Sequence, residues 1–146
     1  MLFNKNYQRN KGFTLAEIII VVTIVLILAL IAIPNMLRAN VTSNEANAIA
    51  NLRSIYTSLQ IYYTSNNKTY PRALDDLTGY VGSKLAKGEK SGYLFDYTYE
   101  DEDTFHINAA PKRVNRTGTR YFFMDETSTI RYNPKGKADE NDPIVE

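Results

Sequence analysis

Hydrophobic and polar positions divide the chain into stretches of different period. From Ile18 to Ile33 every side chain except Thr23 is apolar. Extended back to Phe13, this run covers about 21 residues, or roughly 31 Å of helix, which matches a hydrocarbon core of about 30 Å. Pro34 closes it. A proline removes a backbone donor and clashes with the preceding turn, which predicts a kink or local melting there. From residue 44 to residue 64 the pattern changes. Ile49, Leu52, Ile55, Tyr56, Leu59, Tyr62 and Tyr63 recur at spacings of three and four and form one stripe. Arg38, Asn40, Asn44, Glu45, Asn51, Arg53 and Gln60 fall on the other faces in this reading. An isolated helix has no use for the stripe, so a small domain is expected to pack on this half. Thr64-Ser65-Asn66-Asn67-Lys68 supplies turn formers at its end. The helix is predicted from about Phe13 to Ser65, roughly 80 Å of chain.

Beyond it the period shortens. Ala73-Leu74-Asp75-Asp76-Leu77 reads as one helical turn, and the four glycines between 79 and 92 mark a loop. In Tyr93-Leu94-Phe95-Asp96-Tyr97-Thr98-Tyr99 the aromatics fall on every second residue, and Phe105-His106-Ile107-Asn108-Ala109 alternates strictly. Arg120-Tyr121-Phe122-Phe123-Met124 and Thr129-Ile130-Arg131-Tyr132 flank a turn at 125–128, and the acids at 100–103 make another. The fold class is α+β: a long, kinked N-terminal helix on a small antiparallel sheet of three to four strands. The segments are a polar leader (1–12), a membrane helix (13–34), the amphipathic half (35–65), a globular domain (66–132) and a polar tail (133–146). The tail is expected to be ordered only where it docks. The many tyrosines read as packing residues with hydroxyls near water rather than as a conducting path, since the membrane half carries no aromatic but Phe13.

Charge sharpens the first segment. Lys5, Arg9 and Lys11 precede Gly12 and no acid does, which places Met1 in the cytoplasm and the C-terminal domain outside. The chain as a whole carries a net charge of +1. Removing those three from its seventeen basic residues leaves fourteen against sixteen acids. A net charge of about −2 is no basic footprint, so nucleic acid is not an expected partner. Lys112, Arg113, Arg116 and Arg120 form a modest cluster, flanked in sequence by acidic runs. The absence of cysteine excludes disulfides, thiolate metal sites and a Cys nucleophile. His106 is the only histidine, so neither a His-based zinc site nor a Ser-His pair is indicated. No catalytic residues are expected, and no cofactor. A Ca²⁺ ion, were one bound, would take Asp139, Glu140 and Asp142 or the acids at 100–103, but the spacing of an EF-hand loop is absent.

The start of the apolar run is unusual in two ways. A secretory signal carries its small-residue cleavage site after the apolar stretch. Here the prominent small residue, Gly12, precedes it, so a cut there leaves the membrane helix on the mature chain. Glu17 places a carboxylate inside the segment, which is costly in lipid and marks function. Gly12-Phe13-Thr14-Leu15, Glu17 four residues past Phe13, and Pro34 resemble the N-terminal signature of type IV pilins and type II secretion pseudopilins. The resemblance is specific over about residues 11–38, although Ala16 replaces the commoner Ile or Val. Tyr70-Pro71-Arg72 and the turn after it add modestly.

This resemblance implies cleavage between Gly12 and Phe13 by a prepilin peptidase and N-methylation of Phe13. It implies self-association into a helical filament, with Glu17 paired to the Phe13 amino group of a neighbour, and an inner-membrane assembly platform as partner. The subunit would stand in the inner membrane before joining a filament in the periplasm or at the cell surface. Major pseudopilins carry a calcium-binding loop, but their Asp-Pro-Trp-Gly segment is missing here. The expected function is a structural subunit of a type II secretion pseudopilus or a type IV pilus-like filament. The alternatives are a major or minor pilin in adhesion, motility or DNA uptake, and a membrane-anchored binding module or enzyme whose helix is never cleaved.

Overall fold

The computed structural model describes residues 12–145, so residues 1–11 of the predicted leader lie outside it. The chain forms two compact units, the first ending at Met36 and the second beginning at Leu37. Helix α1 spans Leu15–Ser65 and passes through both. It starts two residues later than expected, because Thr14 serves as its N-cap. Of the kink or local melting expected at Pro34, the melting does not occur, since α1 stays helical through it.

In the first unit, the apolar run is exposed among the described residues. Ile18 is 47% exposed and Leu30 76%. By length and composition this helix is able to cross a membrane. The lone hydroxyl of the run 18–33 is satisfied internally, because Thr23 Oγ1 donates to the Ile19 carbonyl at 2.7 Å.

The second unit packs the remainder of α1 against an antiparallel sheet. A 3₁₀ turn covers Leu74–Leu77, α2 covers Ser83–Ala86, and five strands follow. These are β1 (Glu89–Lys90), β2 (Tyr93–Tyr99), β3 (Phe105–Pro111), β4 (Tyr121–Asp125) and β5 (Ile130–Asn133). They lie in sequence order, every neighbour antiparallel. Register follows the alternation: Tyr97 faces Ile107, and Ile107 faces Met124. Leu52, Ile55 and Leu59 of α1 are fully buried in one cluster with Phe105, Ile107, Ala109, Phe122 and Met124. Each of these side chains larger than alanine contributes about 1.5–3 kcal/mol on burial.

The sheet has one strand more than the three to four expected. β1 lies inside the expected glycine loop, which is in fact a short helix and a hairpin. Ser91 and Gly92 both adopt positive φ and form the two-residue turn that folds β1 onto β2. The polar tail is docked rather than free. The Tyr132 amide donates to the Pro143 carbonyl and the Val145 amide to the Ile130 carbonyl, which covers the edge of β5. Ala138 is buried.

The tyrosines pack as expected. Tyr70 meets Tyr63 and Phe105 with ring centroids 4.6 and 4.7 Å apart. Tyr63 donates to Asp103 at 2.6 Å, which with burial holds its phenol up at about 12.

One glycine is required by close packing. A Cβ on Gly118 would stand 2.1 Å from the hydroxyl and 2.6 Å from the ring of Tyr93. That ring is buried, and its hydroxyl donates to the Arg120 carbonyl at 2.8 Å. Gly118→Ala is expected to cost about 1–3 kcal/mol. Thermal unfolding of the full chain in detergent should show a lower midpoint, and an unchanged midpoint would contradict this packing.

Candidate functional site

The residues singled out at the N-terminus lie on or beside the first turn of α1. Gly12 and Phe13 are exposed and precede the helix, and Phe13 is 83% exposed. The peptide bond between them is therefore accessible. A Cβ built on Gly12 meets nothing within 4 Å, so a substitution there does not disturb packing.

Thr14 and Glu17 form a capping box. The Thr14 amide and hydroxyl donate to Glu17 Oε2 at 2.8 and 2.7 Å, and the Glu17 amide donates back to Thr14 Oγ1 at 3.2 Å. The sequence signal was a Thr three residues before a Glu at the head of an apolar run, and it was missed. Both bonds fall on Oε2, so Oε1 remains to accept from another molecule. The cap and the negative charge also suit the positive end of the helix dipole. Pro34 sits well inside α1 and touches none of this geometry.

A second carboxylate was misplaced by sequence reading. Glu45 was expected on an outer face of α1, but it is 6% exposed. Asn51 was likewise placed outside and is buried. Glu45 lies three residues before Ala48 and seven before Leu52, on the same stripe. Its carboxylate accepts four hydrogen bonds. Thr119 donates from its amide at 2.8 Å and its hydroxyl at 2.7 Å, and Arg120 from its amide at 3.2 Å and its Nε at 2.7 Å. The Arg120 guanidinium also stands 5.4 Å from the ring centroids of Phe122 and Tyr132. This clamp fixes the loop between β3 and β4 onto α1. Burial alone would raise the Glu45 pKa, but the bonds from Thr119 and Arg120 outweigh it and hold the carboxyl below the usual range.

The other candidates do not converge. Asp142 accepts from Asn133 Nδ2 at 3.0 Å and from the Asp139 amide at 2.9 Å, and Asp139 accepts from the Asn141 amide at 2.8 Å. These carboxylates shape a turn, and Glu140 is exposed beside them. No group of three or more His, Asp or Glu side chains is placed to hold a metal ion among the described residues. His106 meets Glu100 at 2.6 Å and stacks on Phe123. Of the basic cluster, Lys112 pairs with Glu89 and Arg120 with Glu45.

Comparison with known proteins extends these observations. The family profile of the prokaryotic N-terminal methylation motif matches residues 7–33. The type IV major pilin protein PilA of Myxococcus xanthus is 30% identical over 137 residues, which cover 94% of this chain and 58% of that protein. The type II secretion system core protein G of Pectobacterium carotovorum is 28% identical over 94 residues, 64% of this chain and 60% of its own. Competence protein ComGC of Halalkalibacterium halodurans is 33% identical over 79 residues, 53% of this chain and 76% of its own. The chain thus spans about three fifths of the length of the first two relatives. No solved structure matches it.

The Glu45 clamp carries a pH prediction. A carboxyl whose folded pKa is depressed adds stability above its unfolded value of about 4.3, and that stability is lost as pH falls through the folded pKa. Glu45→Ala should therefore cost about 3 kcal/mol at pH 7, because it leaves the Arg120 charge and the loop amides unpaired. The deficit should shrink as pH drops below 4.3. Denaturant unfolding in detergent across that range measures both, and a pH-independent deficit would contradict the clamp.

Proposed function

Because the chain belongs to the family of type IV pilins and type II secretion pseudopilins, we propose that it is a structural subunit of a pseudopilus or type IV pilus-like filament, not an enzyme. The observation that carries this reading is the uncovered apolar helix headed by a capped carboxylate. Lipid covers such a helix before assembly, and neighbouring copies cover it afterwards. Head-to-tail contacts of this kind build open helical filaments when the rotation does not close. Ala29, Ala32 and Ala39 on α1 permit close helix approach.

In this reading a prepilin peptidase cuts between Gly12 and Phe13 and methylates the new amino group. That amine is cationic near neutral pH. It becomes a partner for Glu17 of the next copy, at the oxygen that Thr14 leaves open. An assembly platform in the inner membrane gathers the subunits, with the domain from Leu37 onward outside. The short domain and the buried Tyr70-Pro71 segment support a secretion pseudopilus. The likeness to a pilin across nearly the whole chain supports a surface pilus.

Two substitutions test the reading in cells that carry the peptidase. Gly12→Ala should leave an uncleaved precursor. Glu17→Ala should be cleaved yet fail to enter filaments, with a loss of at least tenfold in sheared surface material. Immunoblots and electron microscopy of the sheared fraction measure both. Normal filaments from either variant would sink the proposal.

A further inference from the structure

The loop between β3 and β4 carries Lys112, Arg113, Arg116 and Arg120 and no acid. Folding divides these cations. Lys112 is neutralised by Glu89 and Arg120 by Glu45. Arg113 and Arg116 are exposed, and neither pairs with a carboxylate among the described residues. The same holds for Arg38 on α1.

The loop is held in one shape. The Thr117 amide donates to the Arg113 carbonyl at 2.9 Å and the Asn115 amide to the Gly118 carbonyl at 2.9 Å. Val114 stands between the two free arginines and is 51% exposed. The Glu45 clamp places this loop beside the start of the second unit. There Leu37, Arg38, Val41 and Thr42 line a cavity of about 350 Å³ together with Asn115 and Thr119. The cleft has apolar walls in Leu37 and Val41, a guanidinium in Arg38, and the side-chain amide of Asn115.

We propose that this cleft and the two arginines beside it seat the headgroup of an anionic phospholipid, in the leaflet where the apolar run ends. This inference rests on the reading of residues 13–34 as a membrane span. Leu37 is the fourth residue past Ile33, so it lies at most about 14 Å from the end of the run whatever the backbone does. That is within reach of the headgroup layer. Guanidinium groups bind phosphate oxygens through paired N–H donors. The exposed Val114 suits the glycerol and upper acyl level, where a purely electrostatic site would have no use for it. Nucleic acid fits less well, because three free cations and a net negative mature domain offer few phosphate contacts. Each arginine near an anionic surface strengthens attachment about fivefold.

The absence of cysteine allows a single-site probe. The full chain carrying Val114→Cys and an environment-sensitive dye is reconstituted in vesicles of phosphatidylcholine, with or without phosphatidylglycerol. Blue-shifted emission and quenching by headgroup-level spin labels are expected only with phosphatidylglycerol. High salt should weaken both, and Arg113→Gln with Arg116→Gln should return them to the phosphatidylcholine values. Equal emission in both vesicles, or a response indifferent to the double substitution, overturns the proposal. So does a response to a short DNA duplex without one to phosphatidylglycerol. A companion probe at Leu26→Cys separates the two readings. If it is quenched by deep-lying lipid labels while the Val114→Cys probe stays silent, only the headgroup site fails. If it remains in water, the membrane span fails as well.

Discussion

An apolar run of helix that stands exposed among the described residues is the constraint on which the rest of this protein depends. Ile18 to Ile33 presents fifteen aliphatic side chains and one threonine, and none is buried among the described residues. At about 1.5–3 kcal/mol for each large side chain left in water, the penalty exceeds the net stability of an ordinary domain. The run therefore needs a cover that the described residues do not supply. In the proposed scheme a membrane supplies it before assembly and a bundle of identical helices afterwards, and the subunit's role follows from the exchange of one cover for the other.

The two acids of α1 are handled by the same local chemistry. Glu17 and Glu45 are the only acidic residues on the helix. Each accepts from the amide and the hydroxyl of a single threonine, Thr14 for one and Thr119 for the other. At Glu45 an arginine completes the set and the charge is fully used within the chain. At Glu17 no cation arrives among the described residues. The difference separates a structural carboxylate, which joins helix to loop, from one that has no countercharge among the described residues. In the proposed scheme cleavage creates that countercharge, so processing and assembly are coupled.

Most of the fold was legible in the chain because its period changes sharply. The continuous apolar run, the stripe of Leu52, Ile55 and Leu59, and the alternation of Tyr93, Phe95 and Tyr97 each matched the element formed. What escaped lacked a periodic signature. Glu89 and Lys90 form a strand because the Ser91 and Gly92 turn folds them back, and two polar residues carry no alternation to read. Glu45 was placed outside because its charge was weighed above its position on the stripe. The tail docks through backbone amides, which have no sequence pattern at all. At the N-terminus the residues were legible, but the Thr14 cap on Glu17 was not drawn from them. That cap matters because it gives one oxygen of an exposed carboxylate two donors within the chain.

The most direct measurement is an electron cryomicroscopy map of filaments grown from the full chain in the presence of a prepilin peptidase. The account predicts that every subunit begins at Phe13 and that a Glu17 oxygen lies within about 4 Å of the α-amino nitrogen of a neighbouring copy. Subunits that retain residues 1–12, or a Glu17 that faces no amine, would contradict it.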